Sequence, residues 1–348
     1  MNRIIKSTAL AAAVGFIATA AYAESITVTS FGGAYSNSQR EAYWKPYTAD
    51  TGITVIEDEY NGELSKLKAQ VESGNITWDV VDMESGPVTQ GCDEGVLEII
   101  DWSRIHNAAD FIEGSKFECG VGTITWATII AYNSNAFPGE KPSTMADFFD
   151  LKKFPGKRGY NKKPTVMLEF ALIGDGVPAS KVFEVLSTPE GVNRAFAKLD
   201  TIKDNLVWWE SGAQAPQLLA DGEVTMTAAW NGRIQAAIDN EKQPFTIIWD
   251  GQVMDFDGWA IPKGSKNIDA AYDYINYVSE AKHMGEQHKY VSYGPVTNAA
   301  GAMITDPALA AKLPSAPQNM NNWVPHNTAF WADNFDELNE RFLAWIGK

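Results

Sequence analysis

The order of segments in the first part of this chain constrains its fold more than any other feature. "ITVTSFGGAY" reads as a strand, with Ile26 and Val28 alternating with polar residues, and it ends in a Gly-Gly turn. "SNSQREAYWKPYTADTG" then carries a helical period and stops at Gly52, "ITVIEDEY" is a second strand, "LSKLKAQVESG" a second helix, and "WDVVDM" a short apolar strand. Strands alternating with helices imply an α/β domain with a largely parallel sheet. In such sheets ligands bind beyond the carboxyl ends of the strands. Those ends are the "SFGGAY" and "MESGP" turns, which place Phe31, Tyr35 and Glu84 at the mouth of a candidate site.

Further along, "TITWATIIAYNSNAF" is another apolar, β-branched stretch that runs through Asn133 into the turn "FPGEKPST". The block after it has a helix-capping signal at Ser143-Thr144, a Lys/Gly-rich loop, "KKFPGKRGYNKKP", and helices from about Val166 and near "GVNRAFAKLDTIKDN". It closes with a helix, "APQLLADG", and a strand, "EVTMTAAW", that terminates in "NGR". This middle block reads as a second α/β lobe, bounded by crossover strands near residues 130 and 260. There is no internal repeat.

The chain begins MNRIIKSTALAAAVGFIATAAYAES, in which Arg3 and Lys6 precede an apolar run and Ala21-Tyr22-Ala23 has the small-x-small pattern of a signal-peptidase site. Residues 1–23 are therefore read as a signal peptide cleaved after Ala23. No later segment has the roughly 18 uninterrupted apolar residues of a spanning helix. The expected product is an exported, periplasmic protein. Cys92 and Cys119 suit an oxidising compartment, where they are expected to pair as one disulfide.

The formal charge is −16, with 28 Lys and Arg against 44 Asp and Glu. That balance argues against nucleic acid, whose binding depends on phosphate neutralisation, and suits either cationic solutes or solubility in a salty environment. "FGGAY" lacks the spacing of a phosphate or dinucleotide loop, so its glycines are read as a tight turn that lets a ligand approach the backbone. The four histidines form no zinc motif, and His283 and His288 are expected to be exposed helix residues. Neither a metal nor a cofactor is expected.

One short stretch, "DGQVMDFDGWAIPKG", puts Asp255 and Asp257 two apart. With the two-residue period of a strand, both carboxylates share a face, with Cα atoms roughly 6.5 Å apart. Such a pair is a catalytic dyad, a metal site, a cradle for a cation, or a solvated face. Trp208, Trp209, Trp230, Trp249 and Trp259 cluster nearby in sequence, and Trp126, Trp209 and Trp230 sit at strand ends where a cleft wall would lie. Aromatic faces attract ammonium groups and carboxylates neutralise them. An acidic, aromatic cleft suits an amine.

Taken together, "ITVTSFGGAY", "TGITVIEDEY", "KLKAQVESGNITWDVVDM", "ITWATIIAYNSNAF", "LADGEVTMTAAWNGR", "DGWAIPKGSKN" and "YVSYGPVTNAA" resemble the extracellular solute-binding proteins of ABC importers, nearest to their spermidine/putrescine branch. The resemblance implies a two-lobed periplasmic-binding-protein fold of type II, with mixed or parallel sheets in each lobe. The first lobe would span residues 24–131, the second 132–258, and residues 259–348 would return to the first and add C-terminal helices. It implies capture of a small cationic solute without chemistry, by a monomer that delivers it to an inner-membrane permease and its ATPase. Position by position, it maps the cleft onto Phe31 or Tyr35, Glu84, Trp126, Thr128, Trp230, Asn231 and Tyr293, and the ammonium-binding aspartate onto Asp257. Trp209 is added as a cleft-wall aromatic.

Two departures bear on the ligand. Asp255 stands where that branch has an aromatic, and the acid it presents after the Lys-rich loop falls on Lys163 to Met167, with Glu169 fitting only with a shift. An ω-amino acid such as 4-aminobutyrate therefore stays open, because Arg233 is available for a carboxylate. An exported hydrolase using Asp255 and Asp257 is the alternative from another class.

Overall fold

The computed structural model describes residues 25–347; the segment read as a signal peptide lies outside them. Its main strands are β1 (Ser25–Ser30), β2 (Thr54–Glu59), β3 (Val80–Glu84), β4 (Val121–Asn133), β5 (Arg158–Asn161), β6 (Leu206–Trp209), β7 (Met226–Trp230) and β8 (Phe245–Ala260). They hydrogen-bond in the order β2-β1-β3-β8-β4-β7-β5-β6. β1 is parallel to both β2 and β3, and β5 is parallel to both β6 and β7. Between these parallel halves run β4 and β8, antiparallel to each other from Val121↔Trp259 to Asn133↔Phe245. Each half is the sheet of one lobe, and the two long strands cross between them.

The cores follow from the period of the strands. In the second lobe, Ile130 and Tyr132 of β4 pack with Phe148, Phe170 and Leu172, whereas Ala127, Ile129 and Ala131 pack on the opposite face with Leu219 and Ile234. In the first lobe, Ile26, Val28 and Val80 pack with Trp44 and Tyr274, while Val81 and Met83 pack with Tyr60 and Leu67. Both faces of each sheet are thus covered by helices, which is what near-continuous apolar strands require. Gly52 closes the helix Lys45–Thr51 at φ 76°, a left-handed conformation that glycine adopts without penalty.

Residues 259–348 divide between the lobes. Trp259, Tyr274 and Val278 belong to the first-lobe core. The last helix, Thr328–Ile346, buries Phe330, Trp331, Phe342 and Trp345 in the second-lobe core. The Lys/Gly-rich loop is held by Arg158, whose buried guanidinium donates to the carbonyls of Phe148, Phe154 and Gly156. Cys92 and Cys119 form a disulfide with Cα atoms 5.5 Å apart. His283 and His288, expected on the surface, are instead buried, and His283 stacks on Tyr277 with ring centroids 3.9 Å apart. Their helix packs inward because Met284 and Gln287 share its buried side.

Candidate functional site

The site is built where β1, β3, β4, β7 and β8 end or cross. Beyond β1, Gly32 and Gly33 both have positive φ, and a side chain at Gly33 would come within 2.7 Å of an Arg233 nitrogen. The expectation that this turn lets something approach its backbone is met by the protein's own guanidinium. Arg233 Nη2 donates to the Phe31 carbonyl at 3.0 Å and Nη1 to the Gly32 carbonyl at 3.2 Å. Arg233 lies in the helix Asn231–Glu241 after β7, so these bonds cross the cleft from the second lobe to the first.

The pairing of β3 with β8 sets Glu84 opposite Asp257 and Asp82 opposite Trp259. Asp257 is buried, and its Oδ1 accepts from Trp126 Nε1 at 2.6 Å. Asp82, fully buried, accepts from the Tyr35 hydroxyl at 2.7 Å and from Gln39 Nε2 at 2.5 Å. Among the described residues neither carboxylate has a Lys, Arg or His within ion-pair distance, and Arg233 has no carboxylate within that distance. Burial pushes Asp257 well above the usual carboxylate range, and the nearby Asp82 and Glu84 push it further. Burial raises Asp82 to about 7 against the lowering effect of its Tyr35 and Gln39 hydrogen bonds. Burial also lowers Arg233.

The aromatic residues divide the cleft into two cavities. A small one of about 20 Å³ is lined by Phe31, Tyr35, Glu84, Ile124, Trp126, Trp230, Arg233, Asp257 and Tyr293. Here Tyr35 meets Tyr293 edge-on at 5.3 Å and Phe31 meets Trp230 edge-on at 6.1 Å. A larger cavity of about 360 Å³ shares only Glu84, Trp126 and Trp230 with it, and adds Thr128, Trp209 and Asp255. The two aspartates, expected to share one face of a strand, thus line different spaces. Asp255 accepts from Ser85 Oγ at 2.5 Å and from the Phe256 amide at 2.8 Å.

Most of the residues expected at the site line one cavity or the other: Phe31, Tyr35, Asp257 and Tyr293 the small one, Thr128, Trp209 and Asp255 the large one, and Glu84, Trp126 and Trp230 both. Trp209 is also part of the second-lobe core, and its indole N–H donates to the Ala228 carbonyl. Asn231 lines neither cavity. Its side chain accepts from the Ala127 amide at 3.0 Å and donates to the Ser292 carbonyl at 2.7 Å, which ties β4, the helix start and the returning first-lobe chain together. The adjacent Gly232 leaves room for Tyr293, whose ring would lie 2.5 Å from a Cβ there. Asp82 was not anticipated; the signal was an acid directly after the apolar Val80-Val81 pair of "WDVVDM".

A buried guanidinium and a buried carboxylate, each without an ionic partner among the described residues, line one small aromatic cavity. Such a pair is complementary to a zwitterion, since a ligand ammonium and carboxylate would neutralise both. The sequence profile described as bacterial extracellular solute-binding protein matches residues 42–318. The chain belongs to that family. Its members bind small solutes and work with a membrane permease and ATPase. A γ-aminobutyric acid-binding protein of Pseudomonas aeruginosa is 43% identical over 331 residues, covering 95% of this chain and 93% of that protein. The structure of the binding protein MotA from A. tumefaciens B6, in complex with glucopine, superposes with a TM-score of 0.87 at 35% identity, covering 92% of this chain and 99% of that one. A putrescine/cadaverine-binding protein of P. aeruginosa is 24% identical over 296 residues, 78% of this chain and 81% of that protein. The spermidine/putrescine branch is therefore represented by a more distant relative than the γ-aminobutyric acid binder. These relatives are binding proteins rather than enzymes.

Proposed function

We propose that the protein, exported to the periplasm and cleaved after Ala23, captures a small ω-amino acid, 4-aminobutyrate or a near homologue, and delivers it as a monomer to an ABC permease. The observation that carries this reading is that Arg233 and Asp257 line the same small cavity and have no ionic partner among the described residues. The ligand carboxylate meets Arg233 and its ammonium meets Asp257, with Glu84 beside it. Trp126 holds the Asp257 carboxylate by its indole N–H, and the rings of Phe31, Tyr35, Trp230 and Tyr293 enclose the methylenes. A diamine fits this pair less well, because its second ammonium would approach a buried guanidinium. The 43% identity to a γ-aminobutyric acid-binding protein supports the same choice.

The residues that line the cavity come from both lobes, so the ligand enters with the lobes apart. Closure then follows because only the closed form contacts the ligand from both lobes, which shifts the population toward it. Calorimetric titration of the mature protein tests the reading. Saturable binding of 4-aminobutyrate, tighter than that of putrescine, is expected; binding of putrescine with no response to 4-aminobutyrate would overturn it.

A further inference from the structure

Two helices, one from each lobe, meet beside the larger cavity. The helix Ser85–Asp93 follows β3, and its Val88 lies in the first-lobe core. The last helix, Thr328–Ile346, is held to the second lobe: Phe330 and Trp331 lie in that core, and the Trp331 indole donates to Glu169 Oε1 at 2.7 Å. Gly86, Pro87 and Gln90 of the first helix and Trp331, Ala332 and Phe335 of the second line the cavity from opposite lobes. Where the two helices start, Ser85 Oγ and Thr328 Oγ1 are 3.0 Å apart. Ser85 Oγ also donates to Asp255 Oδ1 at 2.5 Å. A hydroxyl has one proton to give, so Thr328 is the donor to Ser85, and the three side chains form one directed chain that ends on the carboxylate. Hydrogen bonds in such a chain polarise and strengthen one another. Both ends of the chain are fixed. Asn327 caps the last helix by accepting from the Phe330 amide at 3.0 Å, the His326 amide donates to the Met254 carbonyl at 2.7 Å, and Asp255 Oδ1 accepts from the Phe256 amide as well.

We infer that Thr328, Ser85 and Asp255 form a latch between the lobes, which stabilises the closed form and sets the rate of solute release without contact between its hydroxyls and the solute. Ser85 and Thr328 line neither cavity, so they are positioning residues for capture. Asp255, buried in the crossover strand β8, is the acceptor on which the latch ends rather than a partner for a ligand ammonium. Thr328 travels with the second lobe and Ser85 with the first, so their bond exists only when the lobes are together. It adds the same increment to the closed form whatever solute is held, because it lies outside both cavities. Removing it lowers the closed fraction, and the apparent affinity falls by the same factor. The bond forms after the solute has entered, so the loss is in the dissociation rate rather than the association rate. The inference rests on closure around a solute, not on which solute is held.

Calorimetric and stopped-flow titration with 4-aminobutyrate and putrescine, on the mature protein and on Thr328→Val, Thr328→Ser, Ser85→Ala and the Ser85→Ala/Thr328→Val double variant, tests the latch. Thr328→Val keeps the shape of the side chain and removes its hydroxyl. It is expected to weaken every solute that the unaltered protein binds by one common factor of about twofold to tenfold, the range of one neutral hydrogen bond, through faster release. Thr328→Ser, which keeps the hydroxyl, should restore affinity and release rate. The double variant should lose no more than Ser85→Ala alone, because both substitutions break the same bond. The denaturant midpoint of solute-free Thr328→Val should match that of the unaltered protein, since the open form lacks the latch. Binding of putrescine alone would overturn the ω-amino acid reading, and the same loss on putrescine in Thr328→Val would still support the latch. Unchanged affinity and release in Thr328→Val would overturn the latch, as would additive losses in the double variant or a loss confined to one of two bound solutes.

Discussion

The two cavities lie on one crossover strand, two residues apart, and differ in what their aspartates are given. Asp257 has one donor, the Trp126 indole, and shares its burial with Asp82 and Glu84. Asp255 has the Ser85 hydroxyl and the Phe256 amide on its Oδ1 and opens on a space many times larger. Identical side chains on the same face of a strand thus carry different demands. A carboxylate crowded by other carboxylates needs a cation, whereas one supplied with donors in a roomy cavity is already stabilised.

Replacing each aspartate by asparagine tests the contrast most severely. Asp257→Asn should weaken 4-aminobutyrate binding by about 2–5 kcal/mol, as removing one partner of a buried charge pair does. Equal losses for Asp255→Asn and Asp257→Asn would erase the distinction.

Asn231 provides the control from outside both cavities. Asn231→Ala removes two buried hydrogen bonds to backbone and should lower unfolding stability by about 1–3 kcal/mol, read by denaturant titration. A loss of affinity without a loss of stability would return Asn231 to the binding site.

Acidity acts on the small cavity first. Asp82, raised to about 7, and Asp257, raised in the same direction, keep protons in the folded protein at pH values where the unfolded chain has lost them. The contribution of Asp82 to stability is therefore full below the ordinary aspartate range and is lost as pH rises toward about 7, and that of Asp257 has the same sign. Glu169, buried and also raised to about 7, acts with the same sign but lines neither cavity. An ammonium must displace a proton from the site, so affinity for 4-aminobutyrate should rise by up to about tenfold per pH unit over the range in which these buried carboxylates are protonated. A pH-independent affinity would mean that the carboxylates beside the ligand are ionised throughout. Asp255→Asn completes the series, with an expected loss of under about 1 kcal/mol for 4-aminobutyrate, comparable to one neutral hydrogen bond.

Much of this arrangement was legible in the sequence. The alternation of "ITVTSFGGAY", "ITVIEDEY" and "WDVVDM" with helices gave the parallel first lobe, and the long apolar "TITWATIIAYNSNAF" gave a crossover strand. Aromatics at strand ends placed Phe31 and Trp230 on cavity walls, whereas Trp126, expected at a strand end, reaches its wall from the middle of β4. What spacing could not convey was depth and partition. Period two puts Asp255 and Asp257 on one face, but only the packing of Trp126 and Trp230 between lobes distant in sequence assigns them to separate spaces. Asn231 followed a motif that matches by sequence, while its side chain is consumed by backbone groups at positions 127 and 292. Arg233 was read as available for a carboxylate, and its cross-cleft bonds to Phe31 and Gly32 depend on tertiary approach that no local pattern records.

The central claim is that a guanidinium and a carboxylate in one cavity select an amino acid over a diamine. Parallel titration of the unaltered protein and Arg233→Gln with 4-aminobutyrate and putrescine tests it directly. The substitution should weaken 4-aminobutyrate by about 2 kcal/mol or more and should leave putrescine binding unchanged or strengthened. Unchanged affinity for 4-aminobutyrate in Arg233→Gln would contradict the account.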